Sequence, residues 1–262
     1  MRGEKIMTYF KDRRADLDLV YKTDNGLNLP IQVFLPDCDI HKAQAVLSIH
    51  GGGWTDAIKD NSEWKGGWMA ANAKYLASRG FIGIIISYRS LQISEELNVG
   101  ELIRDCECAV RYIKKHLKFV SFDDFVCMGD SAGGYLATML GLSQDDSVRP
   151  KAVVALNPVL GLIDSKWKYG FNNVANIDSL TPIKCVGEKC ADFLFMHGTA
   201  DEVVEIEFTA ELNDMLIKKG HNSEFVEIPD AKHAFILYDY HYSDEYVTAL
   251  MERIIGYLEK EK

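Results

Sequence analysis

Apolar residues fall along this chain in short, dense runs. Leu17–Tyr21 and Ile31–Leu35 flank the turn-forming Asp24-Asn25-Gly26, which predicts an antiparallel hairpin ended by Pro36. Beyond it, the runs 45–49, 81–88, 125–128, 152–156, 193–196 and 225–228 are rich in apolar and β-branched residues and bounded by glycine, proline or polar positions. Runs apolar along their whole length suit strands covered on both faces, as in a parallel sheet. Between them, stretches near 63–79, 99–117, 131–142, 204–219 and 242–259 carry apolar residues at helical spacing. This β-α-β-α alternation predicts an α/β fold with an open, mostly parallel sheet and helices on both faces. No linker rich in Pro, Gly or Ser divides the 262 residues, so one domain is expected over 1–262.

Ligands of such sheets bind beyond the carboxyl ends of the strands, and residues capable of chemistry collect there. His50 follows the run 45–49, Ser131 follows 125–128, His197 and Asp201 follow 193–196, and His233 follows 225–228. The sharpest signal is Gly129-Asp130-Ser131-Ala132-Gly133, a G-x-S-x-G pattern between a buried strand run and the helical spacing of Tyr135–Leu140. A strand that reverses into a helix strains its central residue and demands tiny residues two positions either side. The serine oxygen is thereby lifted clear of the sheet, with the Ala132 N–H placed to face a developing oxyanion. His50-Gly51-Gly52-Gly53-Trp54 leaves backbone N–H groups unshielded by side chains, which also suits an oxyanion hole and lacks the lysine of a phosphate loop.

A nucleophilic serine needs a base, and the base needs a carboxylate to hold its tautomer. Asp201, between a strand run and a helix, and His233, in a post-strand loop, complete the series Ser131, Asp201, His233. His197 is the rival base, and Asp230 and Glu202 are the rival acids.

Taken in order, His50–Trp54, Ser87-Tyr88-Arg89, Gly129–Gly134, His197–Val204 and His233-Ala234-Phe235 resemble the landmarks of α/β-hydrolase-fold serine esterases of the hormone-sensitive-lipase-like and acetyl (xylan) esterase group, over about residues 17–257. The resemblance implies Ser131 as nucleophile, His233 as general base and then acid, Asp201 as its orienter, and the N–H groups of Gly52, Gly53 and Ala132 as the oxyanion hole. The chain departs from the group where Ser90–Glu95 replaces the usual Leu-Ala-Pro-like continuation, and where a short segment precedes the first strand. Cap material is therefore expected to be minimal and to come from about 157–191. Trp54, Trp64, Trp68, Trp167 and Tyr169 are candidates to line an aromatic groove for a sugar or aryl ester.

Net charge changes the picture by exclusion. At −10, the overall field repels nucleic acid and anionic membranes, so neither is an expected partner. No apolar stretch reaches signal-peptide or membrane-spanning length, and a cytoplasmic protein is expected. The six cysteines lack C-x-x-C spacing and are read as reduced, with Cys185 and Cys190 near enough in sequence to meet in a loop. No H-E-x-x-H, P-loop or G-x-G-x-x-G occurs, so no metal or other cofactor is expected. The expected function is hydrolysis of short-chain (acetyl) esters through an acyl-enzyme, the substrate being a small-molecule or oligosaccharide ester. Alternatives are an arylformamidase, a serine peptidase of the same fold, for whose usual large gating domain 262 residues leave no room, and a non-catalytic ligand receptor.

Overall fold

In the computed structural model, residues 14–62, 64, 69–122, 124–161, 166–238 and 240–260 are described. The apolar runs hydrogen-bond into an eight-stranded sheet of β1 (Leu17–Asp24), β2 (Leu27–Phe34), β3 (Ala45–Ile49), β4 (Ile82–Ile86), β5 (Val126–Asp130), β6 (Ala152–Leu156), β7 (Asp192–Gly198) and β8 (Ser223–Ile228), in the order β1-β2-β4-β3-β5-β6-β7-β8. The pairs β1·β2 and β2·β4 are antiparallel and all others parallel. The hairpin turn carries positive φ at both Asn25 (50°) and Gly26 (82°), the backbone that an Asn-Gly pair tolerates and most residues resist. Every residue of β3, β4, β5 and β6 is buried, which is why these strands read as continuous apolar runs.

Helices alternate with the strands: α1 (Ala70–Ser78), α2 (Val99–His116), α3 (Ser131–Gly141), the single turn α4 (Pro182–Cys185), α5 (Ile206–Lys218) and α6 (Asp244–Lys260). Successive strand residues point to opposite faces. Leu47, Ile49, Cys127, Val153 and Phe193 meet α2, α3 and α5 in one core, while Val46, Met128, Val154 and Met196 meet α1 and α6 in the other. The helix expected from 63 begins at Ala70; residues 63 and 65–68 lie outside the described residues. The strands β5, β7 and β8 run further than their apolar stretches, so β5 includes Gly129 and Asp130, and His197 stands inside β7 rather than after it, while β4 is shorter than the run 81–88. The expected cap segment contributes two 3-10 turns, Lys168–Phe171 and Ile177–Leu180, and α4; its residues 162–165 lie outside the described residues.

Arg89 of the Ser-Tyr-Arg landmark is structural. Its guanidinium grips the fully buried Asp105 of α2 through Nε (2.7 Å) and one terminal nitrogen (2.9 Å) and reaches Asp24 at 2.8 Å, while Lys22 binds Asp105 at 2.8 Å. A buried carboxylate is tolerated only with such compensation, and here it fastens the β1–β2 hairpin to the strand end beside the site. Cys185 and Cys190 are both free thiols. No helix among the described residues is long and apolar enough to cross a membrane.

Candidate active site

Ser131 occupies the turn from β5 into α3 with φ 52°, a left-handed conformation costly for any residue with a Cβ. Packing around it allows nothing larger than glycine at the flanking positions. A Cβ on Gly129 would stand 2.3 Å from the Gly133 carbonyl oxygen, and one on Gly133 would stand 2.2 Å from that of Ile49. The elbow anticipated from spacing is therefore enforced by backbone-to-backbone contact.

His233 Nε2 lies 2.9 Å from Ser131 Oγ, and its Nδ1 lies 2.8 Å from Asp201 Oδ2. The two loops that carry these partners are laced together. Thr199 N donates to Ile228 O (3.0 Å), Ala200 N to Ala231 O (3.0 Å) and Asp230 N to Thr199 Oγ1 (2.9 Å). The Asp201 Oδ1 atom accepts the N–H groups of Val203 (2.8 Å) and Val204 (2.9 Å). Burial alone would raise the Asp201 carboxyl, but hydrogen bonds from His197 and His233, the charge of His233 and the Val204 N–H together hold it well below the usual carboxylate range. An ionised Asp201 can only accept, so Nδ1 of His233 carries the hydrogen and the Nε2 lone pair faces the serine hydroxyl. That arrangement can remove the Ser131 proton.

The rivals are placed elsewhere. Asp230 and Glu202 are exposed. His197 is fully buried against Asp201, with Nδ1 2.9 Å from Thr209 Oγ1 and Nε2 3.2 Å from Val204 O and 3.3 Å from Asp201 Oδ2. It cannot serve Ser131 as a base, and its contact with the acid is a feature the sequence pattern did not assign.

The glycine loop is set from below. His50 Nδ1 lies 2.8 Å from Gly51 O and Nε2 2.7 Å from Ser87 Oγ, its ring stacked on Tyr88 at 4.9 Å. Burial lowers its pKa, which favours the neutral ring. Gly51 N donates to Asp130 Oδ1 at 3.0 Å, and a Cβ on Gly51 would come within 3.1 Å of Ser131 Cβ, so loop and elbow are in contact. Burial pushes the Asp130 carboxyl up to about 6, against the pull of His233 and the Gly51 N–H. Gly52 (φ 93°) and Gly53 (φ 58°) turn the chain in backbone that favours glycine. Their N–H groups donate to no other described residue. The Ala132 N–H lies in the first turn of α3, where no acceptor exists within the helix and the helix dipole favours negative charge. Among the described residues no acceptor meets these three donors, which sit on the two segments that meet at Ser131.

The aromatic groove needs correction. Trp54 is fully buried, its Nε1–H donates to Ala132 O at 3.0 Å, and Tyr135, Trp167, Tyr169 and Phe171 meet its ring edge-on at 5.3–6.2 Å. A ring enclosed in this way is no groove wall for substrate; it packs beneath the elbow. Trp167 is also buried, Trp64 lies 6.1 Å from the His50 ring, and Trp68 lies outside the described residues. Tyr169 is half-buried and donates its hydroxyl to Gly53 O at 2.5 Å. It forms one wall of an open cleft of about 490 Å³, shared with Thr55, Leu91, Gln92, Ser94, Glu95, Leu97, Asn172 and Asn173. The divergent segment Ser90–Glu95 therefore supplies much of that cleft.

Comparison with known proteins agrees with this geometry at the level of fold. The BD-FAE family model matches residues 31–158, a span that includes the glycine loop and Ser131 and ends before Asp201 and His233. Among curated proteins, the inactive dipeptidyl peptidase 10 of Mus musculus is 26% identical over 230 residues, covering 83% of this chain and 28% of that protein. A probable dipeptidyl-aminopeptidase B of Pyrenophora tritici-repentis is 28% identical over 193 residues, covering 66% of this chain and 21% of that protein. The chain thus spans about a quarter of the length of these relatives. Among solved structures, Thermogutta terrifontis esterase 2 phosphoramylated by tabun superposes with a TM-score of 0.82 at 21% identity, covering 95% of this chain and 96% of that one. The butyrate-bound form of that esterase gives 0.80 at 21%, covering 95% of each chain. The chain has the α/β-hydrolase fold, as the resemblance in sequence implied.

Proposed function

We propose that this α/β-hydrolase-fold protein is a carboxylic-ester hydrolase acting through an acyl-enzyme on Ser131. The chain of hydrogen bonds Ser131–His233–Asp201, ending on a serine held at φ 52°, carries the reading. Ser131 Oγ attacks the ester carbonyl as its proton passes to His233 Nε2, and the carbonyl oxygen becomes an oxyanion facing the N–H groups of Gly52, Gly53 and Ala132. The tetrahedral intermediate collapses as His233 returns the proton to the leaving alcohol, leaving Ser131 acylated. Water, deprotonated by His233, then attacks the acyl carbonyl; a second collapse releases the carboxylic acid and restores the serine.

The substrate we assign is a short-chain, acetyl-type ester with a polar alcohol portion such as a sugar. The rings around Trp54 fill the space next to the glycine loop, Tyr169 and Trp167 standing against Gly53. The cleft at Tyr169, whose hydroxyl donates to Gly53 O, offers hydroxyl and amide groups from Thr55, Gln92, Ser94, Asn172 and Asn173, which can both donate to and accept from a hydroxyl-rich group. The Thermogutta terrifontis esterase, solved with butyrate and with propionate bound, supports the short-acyl part.

A fluorophosphonate probe and an aryl acetate assay test this reading together. Labelling at Ser131 is expected, and Ser131→Ala should lower kcat by about 10⁴–10⁶ with the fold intact. Absence of labelling, or residual activity above about a hundredth of wild type, overturns it. Because the curated relatives include peptidases, an aminoacyl arylamide belongs beside the ester. Faster arylamide cleavage would transfer the same triad to peptide substrates.

A further inference from the structure

Two histidines meet on Asp201. His233 Nδ1 lies 2.8 Å and His197 Nε2 3.3 Å from the same oxygen, Oδ2, while Oδ1 is taken by the N–H groups of Val203 and Val204. His197 rises from β7 with no solvent exposure, and its Nδ1 lies 2.9 Å from the Thr209 hydroxyl of α5. Its Nε2 faces two groups that can only accept, the ionised Asp201 Oδ2 and the Val204 carbonyl at 3.2 Å. Nε2 therefore carries a hydrogen, and Nδ1 is placed to accept from Thr209. A histidine that merely filled space in β7 would not need to divide one hydrogen between a backbone carbonyl and the oxygen that orients the base.

We propose that His197 is a positioning residue for the proton relay, its Nε2–H fixing which oxygen of Asp201 faces His233 and limiting the negative charge that oxygen presents to it. The proposal rests on the triad reading. The ionisable groups facing Asp201 are His197 from β7 and His233 from the loop after β8; those facing His233 are Asp201 and Asp130 from the end of β5. Thr209, from α5, is neutral. With Oδ1 still held by two backbone N–H groups, loss of the His197 donor leaves Asp201 in place and concentrates its charge on Oδ2. The His233 imidazolium is then held more tightly against that oxygen, and the base is blocked by protonation at a higher pH.

The test compares His197→Leu, which removes the donor at similar volume, with His197→Gln, whose side-chain amide can restore it. The pH dependence of kcat/KM is followed on an aryl acetate. For His197→Leu the acid limb should move upward by about half to one pH unit, a threefold to tenfold change in the proton-binding constant, with KM unchanged. His197→Gln should lie close to wild type. A limb that stays put in both variants while stability falls, or moves downward in the leucine variant, overturns the proposal. If His197→Leu does not fold, ¹⁵N-histidine NMR of the wild-type protein decides: Nε2–H on His197 supports the proposal and Nδ1–H overturns it. Wild-type labelling by a fluorophosphonate separates the two ideas. A labelled serine with an unmoved acid limb removes the role of His197 alone, whereas an unlabelled serine removes the triad reading beneath it.

Discussion

The indole N–H of Trp54 donates to the carbonyl oxygen of Ala132 at 3.0 Å, joining the end of the glycine loop to the first turn of α3. Both segments are strained, with φ of 59° at Trp54 and 52° at Ser131. Residues held in such conformations persist only when their surroundings over-determine them. This hydrogen bond is one of the constraints, and the rings of Tyr135, Trp167, Tyr169 and Phe171 add others to those of the elbow glycines.

Trp54→Phe should therefore damage chemistry more than binding. It deletes a neutral hydrogen bond worth about 1 kcal/mol and leaves the Ala132 carbonyl without that donor. The ring volume it removes adds a packing loss of about 1–3 kcal/mol. With the oxyanion donors of the two segments no longer tied, kcat should fall about tenfold at nearly constant KM. Steady-state kinetics with a urea melt check both parts. An unchanged kcat would show that the two segments hold their spacing without the indole.

The choice of acid is open to direct test. Asp201→Asn should lower kcat by about 10²–10⁴, because the amide presents His233 with the wrong partner for its Nδ1–H tautomer. Asp230→Asn and Glu202→Gln, both on exposed side chains, should change kcat by less than about threefold, as surface substitutions generally do. A larger loss in either than in Asp201→Asn would reassign the acid.

Asp130 supplies a prediction in pH. Its folded value of about 6 lies above the ordinary aspartate value of about 3.9, so between these pH values the folded chain binds more protons than the unfolded one. For this group, stability is greatest below the unfolded value and is lost as pH rises through the folded one. Asp130→Asn keeps an acceptor for the Gly51 N–H and removes the buried charge. It should be more stable than wild type at pH 8 by up to about 3 kcal/mol, with the difference closing towards pH 4. Urea melts at pH 4.5, 6 and 8 measure this. A variant less stable than wild type at pH 8 would mean that the carboxylate binds the glycine loop more strongly than burial penalises it.

How far the sequence carried these conclusions depended on whether the relevant contacts were local. Gly129, Ser131 and Gly133 could be read as an elbow because the collision that demands glycine occurs within a few residues and with the neighbouring strand end. The order of Ser131, Asp201 and His233 was legible because each follows its own apolar run. Trp54 reads as a groove residue because nothing in the local pattern distinguishes an exposed indole from one enclosed by Tyr135, Trp167, Tyr169 and Phe171. The Arg89–Asp105 pair and the contact of His197 with Asp201 escaped for related reasons. Arg89 and Asp105 come together only when α2 packs on the sheet, and His197 is turned towards Asp201 by Thr209 from α5.

Acyl length is where the ring cluster makes its strongest claim. A Cβ on Gly53 would stand 3.1 Å from the Tyr169 hydroxyl and 3.4 Å from the Trp167 ring, so the space beside this proposed oxyanion donor is already occupied by protein. Each further methylene of an acyl chain gains about 0.8 kcal/mol only if it is buried, and a filled pocket cannot bury it. The kcat/KM for aryl esters should therefore fall steeply beyond four acyl carbons. Trp167→Ala removes a buried indole and costs about 3–5 kcal/mol of stability as a core truncation. In the fraction that remains folded, it should raise the ratio of hexanoate to acetate kcat/KM about tenfold or more, the return from burying two methylenes. Octanoate preferred by the wild-type enzyme would mean that the acyl chain leaves the site by another route, and an unchanged ratio in Trp167→Ala would mean that the ring cluster does not bound the acyl pocket.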